Sequence, residues 1–355
     1  MNEVANEVIK PDWSRIEKVL LVRLRSIGDT VLMTPCLAAL KAFRPEINIA
    51  VVSEPLAAPL LDRHPLVDQL FVTESKFSSR AQLIRRLRRE HFDIAFNMHG
   101  GSTANFLTRL SGATITVGYA GQRYSSLLNF IAPAPDVILG RSTIHSVEQQ
   151  LALLNYAGVP LPDNPQLNLS VDETAKRNVL ERLAGLKLLQ DGNLASPLAI
   201  VSPAAAFSSK QWAEEKFAEV AKYIFDNWQM PSLLIAASHE QAVVEKVASL
   251  ADCPTSIFTD LNLKELMALI SLSSLFVGND SGPMHIAATF KRPLVAIFGS
   301  SNATVWRPWT DAPCAVVRGR QSVAGNTDER IENSIKNIAV DEVIDAVDAV
   351  MRRAN

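Results

Sequence analysis

Hydrophobic positions along this chain switch repeatedly between two spacings. Residues 18–24, KVLLVRL, form an apolar run of strand length, the pattern of a strand buried on both faces. The turn RSIGDT at 25–30 breaks the run, and 31–43 continues with helical spacing. The same switch recurs, with strands at 47–53, 69–73 and 92–98 and helices at 55–64, 78–90 and about 102–110. A strongly amphipathic helix at 144–158 closes on Gly158, and the proline-rich 160–170 has no period and reads as a linker. Beyond it the pattern predicts a helix near 172–188, a strand at 197–203, a helix at 214–227 and a strand at 232–238. Helices at 239–250 and 263–272 follow, and an amphipathic helix at 340–353 ends the series. Strands alternating with helices predict parallel sheets joined by right-handed crossovers.

The stretch 274–299 is the most informative. It reads as strand, sharp turn, helix and strand, with Gly278 and Asn279 breaking the first apolar run. Asp280 is expected at the helix N-cap, followed by Ser281, Gly282 and Pro283, a proline well placed in a first turn. The N–H groups of Ser281, Gly282 and Met284 then lie at the positive end of a helix dipole, an anion site with Asp280 beside it. A phosphate-bearing, hydroxyl-rich ligand would use both; a plain capped turn is the alternative. Gly28 and Asp29 repeat the arrangement after the first strand, again with an N-cap as the alternative for Asp29. Two halves with one acidic loop each fit two domains sharing a cleft. His99, after the strand at 92–98 and before two glycines, lies where α/β folds place ligands; a loop histidine bonded to backbone is the alternative.

Composition narrows the class. A chain of 355 residues exceeds one ordinary core, so two domains are expected. A net charge of −2 argues against nucleic acid as the main partner. Cys36, Cys253 and Cys314 are scattered and odd in number, which points to a reducing compartment without a disulfide framework. Residues 1–17 lack a signal-peptide pattern, and no apolar run is long enough to span a membrane. No Walker loop, dinucleotide glycine fingerprint or G-x-S-x-G elbow is present, and the histidines lack metal-binding spacing. Asp280 and His285 are separated by roughly 500° of helix rotation, a poor fit for joint ligation. The arginines at 85, 86, 88 and 89 read first as a solvated helix face that complements the dipole.

LVRLRSIGDTVLMTP at 21–35, the lysine and tryptophan of SSKQW at 208–212, and VGNDSGPMHIAA at 277–288 with IFGSS at 297–301 resemble glycosyltransferase family 9. This is the family of ADP-heptose:lipopolysaccharide heptosyltransferases. The similarity runs in order from about residue 18 to 310. It implies an α/β fold of GT-B architecture: two Rossmann-like domains facing a central cleft, 1–165 for the acceptor and 166–355 for the nucleotide-sugar donor. The terminal helix at 340–353 is then free to pack back on the first domain. The implied reaction is an inverting, metal-independent transfer of heptose from ADP-heptose to a lipopolysaccharide inner-core acceptor, with no cofactor. Another nucleotide sugar, a surface-glycan acceptor, or a non-catalytic sugar-nucleotide binding protein are the alternatives.

By the same resemblance Asp29 matches the base, Lys210 the phosphate-binding lysine and Asp280 the acid that holds the donor sugar. Ser208 and Ser209 add hydroxyl donors, Glu240 is placed like the ribose-binding acid, and Ser281, Gly282, Pro283, Met284 and His285 complete the donor side. Gly28 and His99 fall on the acceptor side. Ala204, Ala205 and Ala206 depart from the commoner pattern, which shifts phosphate contacts toward backbone. The implied partners are a nucleotide sugar and a lipid-linked oligosaccharide, with no nucleic acid. The implied location is the cytoplasm, with peripheral contact at the inner-membrane surface as an option.

Overall fold

The computed structural model describes residues 10–74, 77–319 and 335–354. The chain divides into two compact units, Met1–Pro165 and Gln166–Asn355.

The first unit is built on a six-stranded parallel sheet. Its strands are β1 (Lys18–Val22), β2 (Asn48–Ser53), β3 (Gln69–Val72), β4 (Ile94–Asn97), β5 (Ile115–Tyr119) and β6 (Phe130–Ala132), in the order β3-β2-β1-β4-β5-β6. β1 lies at the centre, paired with β2 and β4, and Val19 to Val22 are fully buried. That accounts for its unbroken apolar run: a strand covered on both faces has no solvent side to mark with polar residues. The helices are α1 (Ile27–Phe43), α2 (Phe77–Glu90), α3 (Ser102–Leu110), α4 (Pro135–Leu139) and α5 (Ser146–Tyr156). On α2, Leu83 and Leu87 face the core with Phe71, Phe92 and Leu107, while Arg85, Arg86 and Arg89 face water.

The second unit repeats the plan. After α6 (Glu173–Gly185) and the small hairpin of β7 (Leu189–Gln190) and β8 (Asn193–Leu194) come β9 (Ala199–Ser202), α7 (Glu214–Trp228), β10 (Ser232–Ile235) and α8 (Gln241–Leu250). β11 (Thr255–Phe258), α9 (Leu263–Leu272), β12 (Leu275–Asn279), α10 (Gly282–Thr289), β13 (Leu294–Phe298), α11 (Ala303–Trp306) and β14 (Cys314–Arg318) follow. The sheet is again parallel, in the order β11-β10-β9-β12-β13-β14. The terminal helix, Val340–Ala354, packs on α7, β13 and β14 of its own unit, with Val343, Val347, Val350 and Met351 in that core. The apolar face of that helix is therefore occupied within the second unit.

Three local expectations are corrected. The helix expected at 55–64 is a single 3-10 turn, Ala58–Leu60, because Pro55 and Pro59 each remove a backbone N–H. The helix expected from residue 31 begins at Ile27, with Ser26 as N-cap and Asp29 in its first turn. Asp280 is not an N-cap; Ser281 is.

Both sheets share the 3-2-1-4-5-6 strand order of doubly wound folds. Strand order reverses between β1 and β4 in the first unit, and between β9 and β12 in the second. Open α/β sheets bind ligands at the carboxyl ends of strands beside such reversals.

Candidate active site

In the second unit three segments leave the carboxyl ends of β9, β12 and β13 and are tied together. Asn279, fully buried at the end of β12, accepts a bond from the Trp212 N–H at 3.2 Å and donates to the Pro203 carbonyl at 2.7 Å. One amide therefore fastens both ends of the 203–212 loop to the neighbouring strand. Trp212 anchors the loop from below: it is 1% exposed, and its Nε1 donates to the Ile338 carbonyl. The loop also meets the segment after β13. The Ser300 N–H donates to the Ser209 carbonyl at 3.2 Å, and the two serine hydroxyls lie 3.0 Å apart. This approach needs Gly299, where an added Cβ would stand 2.2 Å from the Ser209 oxygen.

These ties bring Lys210 to Asp280. Lys210 Nζ contacts Asp280 Oδ2 at 2.8 Å, and Ser301 Oγ donates to the same oxygen at 2.5 Å. Oδ1 has no hydrogen-bond partner among the described residues. Asp280 is 7% exposed, and its N–H donates to the Ile297 carbonyl. Directly beyond it, α10 begins with Gly282 and Pro283, an N-terminus whose partial positive charge faces an anion well. The Ser281 hydroxyl is buried and lacks a partner among the described residues. Met284 and His285 are buried, Met284 fully, so the Met284 group suited to a ligand is its backbone N–H. Ser208 is exposed in the same 3-10 turn as Ser209 and Lys210. Glu240 sits one strand over, beyond β10, where Oε2 accepts the Ala237 N–H at 3.1 Å. Ser301, Ser300, Asn279 and the 65%-exposed Phe207 have no site role in the sequence reading.

In the first unit the same position holds a second ion pair. Arg23, just past β1, contacts Asp29 Oδ1 through Nη2 at 2.5 Å. Asp29 Oδ2 accepts the N–H and hydroxyl of Ser26 at 3.2 and 3.1 Å, which ties the first turn of α1 to its N-cap. Gly28 is buried in that first turn. From β4, Asn97 accepts the N–H groups of His99 and Gly100, and its amide donates to Asn105. His99 Nδ1 lies 3.1 Å from the Arg25 carbonyl, which selects the Nδ1–H tautomer and leaves Nε2 as the acceptor. Burial pulls the His99 pKa below its ordinary value, aided by the Arg23 charge and opposed by Asp29. No group of three or more His, Cys, Asp or Glu side chains among the described residues is arranged to hold a metal. No described helix is long and apolar enough to cross a membrane.

The sequence pattern of glycosyltransferase family 9 (heptosyltransferase) matches residues 80–335. The chain belongs to glycosyltransferase family 9. Its similarity extends to the lipopolysaccharide heptosyltransferase 3 of Escherichia coli K12, 27% identical over 303 residues covering 81% of this chain and 84% of that protein. Among solved structures, the family 9 glycosyl transferase of Veillonella parvula superposes with a TM-score of 0.83 at 23% identity, covering 95% of this chain and 97% of that one. The E. coli ADP-heptose lipopolysaccharide heptosyltransferase II gives 0.77 at 23% identity, covering 94% and 98%. At that identity the two structures speak to fold. The doubly wound units are the Rossmann-like domains of the GT-B class, as the resemblance implied. As a family 9 member the protein is an enzyme, a glycosyltransferase of the heptosyltransferase type.

Proposed function

We propose that this family 9 enzyme transfers a heptose from ADP-heptose to a lipopolysaccharide inner-core acceptor, with inversion at the anomeric carbon. The observation that carries the reading is the opposite burial of the two ion pairs. In the first unit the cation is inside and the carboxylate outside: the side chains of Arg23 and Asp29 are 8% and 23% exposed. In the second the order is reversed, with Lys210 at 29% and Asp280 at 6%. Each unit therefore turns one charge outward at its strand reversal, a carboxylate in the first and an ammonium in the second.

An inverting transfer needs those two charges. The acceptor hydroxyl oxygen attacks the anomeric carbon while the bond to the diphosphate breaks and its electron pair leaves with ADP. Asp29 takes the hydroxyl proton. Lys210 and the N–H groups at the start of α10 meet the charge that develops on the leaving diphosphate. Asp280 holds Lys210 in place at 2.8 Å, and its Oδ1 is left to accept a sugar hydroxyl. Ser208, Ser209 and Ser301 offer hydroxyls to the donor, Glu240 the ribose contact and Phe207 a face for the base. His99 and Gly28 belong to the acceptor side. The naming of ADP-heptose for the similar E. coli enzyme supports the donor, and the naming of lipopolysaccharide for both E. coli relatives supports the acceptor. Arg85 and Arg89, exposed on α2, suit a phosphorylated acceptor or an anionic membrane surface in the cytoplasm. Neither a metal nor a nucleic acid enters this scheme.

The test is incubation of the purified protein with ADP-heptose and a Kdo–lipid A acceptor, read by mass spectrometry. A product heavier by one heptose is expected. Transfer only from a different nucleotide sugar would refute the donor.

A further inference from the structure

Arg23 is a charged side chain where the strand pattern calls for an apolar one. It follows β1, the central strand of its sheet, and is 6% exposed. A guanidinium is retained at such depth only where partners compensate its lost hydration. Arg23 has two, in different directions. Nη2 holds Asp29 Oδ1 at 2.5 Å, and Nη1 donates to the Met98 carbonyl. Nε is buried without a partner among the described residues. Most buried polar groups are hydrogen-bonded, so a buried N–H without a partner calls for an explanation. Arg23 leaves Nε unbonded among the described residues while its two terminal nitrogens span the reversal of strand order, from the first turn of α1 to the loop after β4.

What it spans matters for the reaction. Ser26 holds Asp29 from the Oδ2 side, so Arg23 completes a clamp on both oxygens. Met98 immediately precedes His99, whose ring in turn reaches back to the Arg25 carbonyl. The charged groups that act on the His99 ring are Arg23 and Arg25 from the β1 side and Asp29 from the first turn of α1.

We propose that Arg23 is a positioning residue: by gripping Asp29 and the Met98 carbonyl together it sets the direction of the carboxylate and its distance from the His99 loop. The proposal rests on the reading of Asp29 as proton acceptor. Arg23 itself neither gives nor takes a proton in the transfer.

A double-mutant cycle tests it. Wild type, Arg23→Met, Asp29→Asn and the double variant are compared in single-turnover transfer, with donor affinity by calorimetry and thermal melting on the same preparations. Arg23→Met is expected to slow transfer on the order of 10²-fold, the scale of a misplaced reacting group, with donor affinity kept. Added to Asp29→Asn it should do almost nothing more, because the clamp then has no base to aim. Arg23→Lys, which keeps the cation and one arm, should recover part of the rate, and it carries the same cycle if Arg23→Met does not fold. Losses that multiply in the double variant, with Asp29→Asn slow, would overturn the positioning role and leave the base intact. An Asp29→Asn variant that transfers at the wild-type rate would instead overturn the base, and the positioning role with it.

Discussion

Replacing Gly299 with alanine tests how Lys210 is placed. Gly299 does not adopt a positive φ, so the substitution acts through space alone. The new Cβ would lie 2.2 Å from the Ser209 oxygen and 3.1 Å from Ile335 Cβ, whereas ordinary contact begins at 3.4 Å. With Ile335 also crowding the new methyl group, the Ser209 carbonyl must retreat by roughly 1 Å to reach a tolerable separation. The Ser300 N–H bond to that carbonyl, already 3.2 Å, then passes beyond hydrogen-bond range, and the Ser209–Ser300 hydroxyl pair opens with it. Overpacking of this kind costs about 1–3 kcal/mol. For a unit of this size that is a melting shift of roughly 2–4 °C per kcal/mol. Function should suffer more. Lys210 is the next residue, so its contact with Asp280 moves with the loop, and a displacement of about 1 Å lowers rates on the order of 10²-fold. Donor affinity by calorimetry, single-turnover transfer and a melting curve measure all three effects. Wild-type donor affinity and transfer would refute the idea that the Gly299–Ser209 approach is what sets Lys210.

Asp29→Asn should retain donor affinity and lose transfer by about 10²–10⁴-fold, since an amide keeps the size of the carboxylate but cannot accept the proton; calorimetry and single-turnover rates on one preparation decide it. Lys210→Ala should lower turnover by about 10²-fold or more, the scale for one lost donor to a developing anion, measured under donor saturation. Folding lowers the His99 pKa from its ordinary 6.5, so an NMR titration of the ring should give a midpoint below that value. By linkage, this site adds stability that is fully present above pH 6.5 and is lost as pH falls through the folded midpoint.

The alternation of strands and helices was readable because most central strands are covered on both faces. Residues 19–22, 275–277 and 294–298 are apolar runs buried throughout, so length and punctuation identified β1, β12 and β13. β11 went unread because Thr255 to Ile257 are half-buried or exposed and lack such a run, and β6 is only three residues long. At the site, the residue types of Asp280 and Lys210 were readable from the family resemblance, but not their pairing, which joins positions 70 apart through the ends of adjacent strands. The helix start after Asp280 was placed one residue early, because Asp and Ser are both good caps and spacing does not choose between them. Arg23 sits inside a run whose other charge, Lys18, opens it, so five apolar residues of seven mask it in the pattern. Its meaning lies in burial and in Met98, 75 residues away. Ser301 closes the IFGSS block of the resemblance, but its role follows from β13 ending beside Asp280.

The inverted burial of the two pairs also makes a stability prediction that runs opposite to intuition about which residues are structural. Removing the outward member of a pair leaves its partner buried and uncompensated, whereas removing the inward member leaves a charge that water can reach. In the second unit, Lys210→Ala strands the Asp280 carboxylate, 6% exposed at its side chain, with the Ser301 hydroxyl as its one side-chain partner among the described residues. Breaking a buried pair this way typically costs about 3–5 kcal/mol, and the partial exposure of Lys210 puts this case toward or below the lower end. Asp280→Asn removes the buried charge itself, keeps an oxygen for Ser301 and leaves Lys210, 29% exposed, to be hydrated. Lys210→Ala should therefore melt lower than Asp280→Asn. The first unit reverses the identities: Asp29→Asn leaves the Arg23 guanidinium buried, while Arg23→Met leaves a carboxylate that is 23% exposed and still held by Ser26. The amide oxygen kept by the Asp29→Asn substitution softens this second contrast without reversing it. Melting curves of the four variants at neutral pH and moderate salt measure the ordering. If the inward substitutions prove the more destabilising in both units, the outward charges are not the ones each unit presents. The assignment of carboxylate to acceptor and ammonium to leaving group then loses its physical basis.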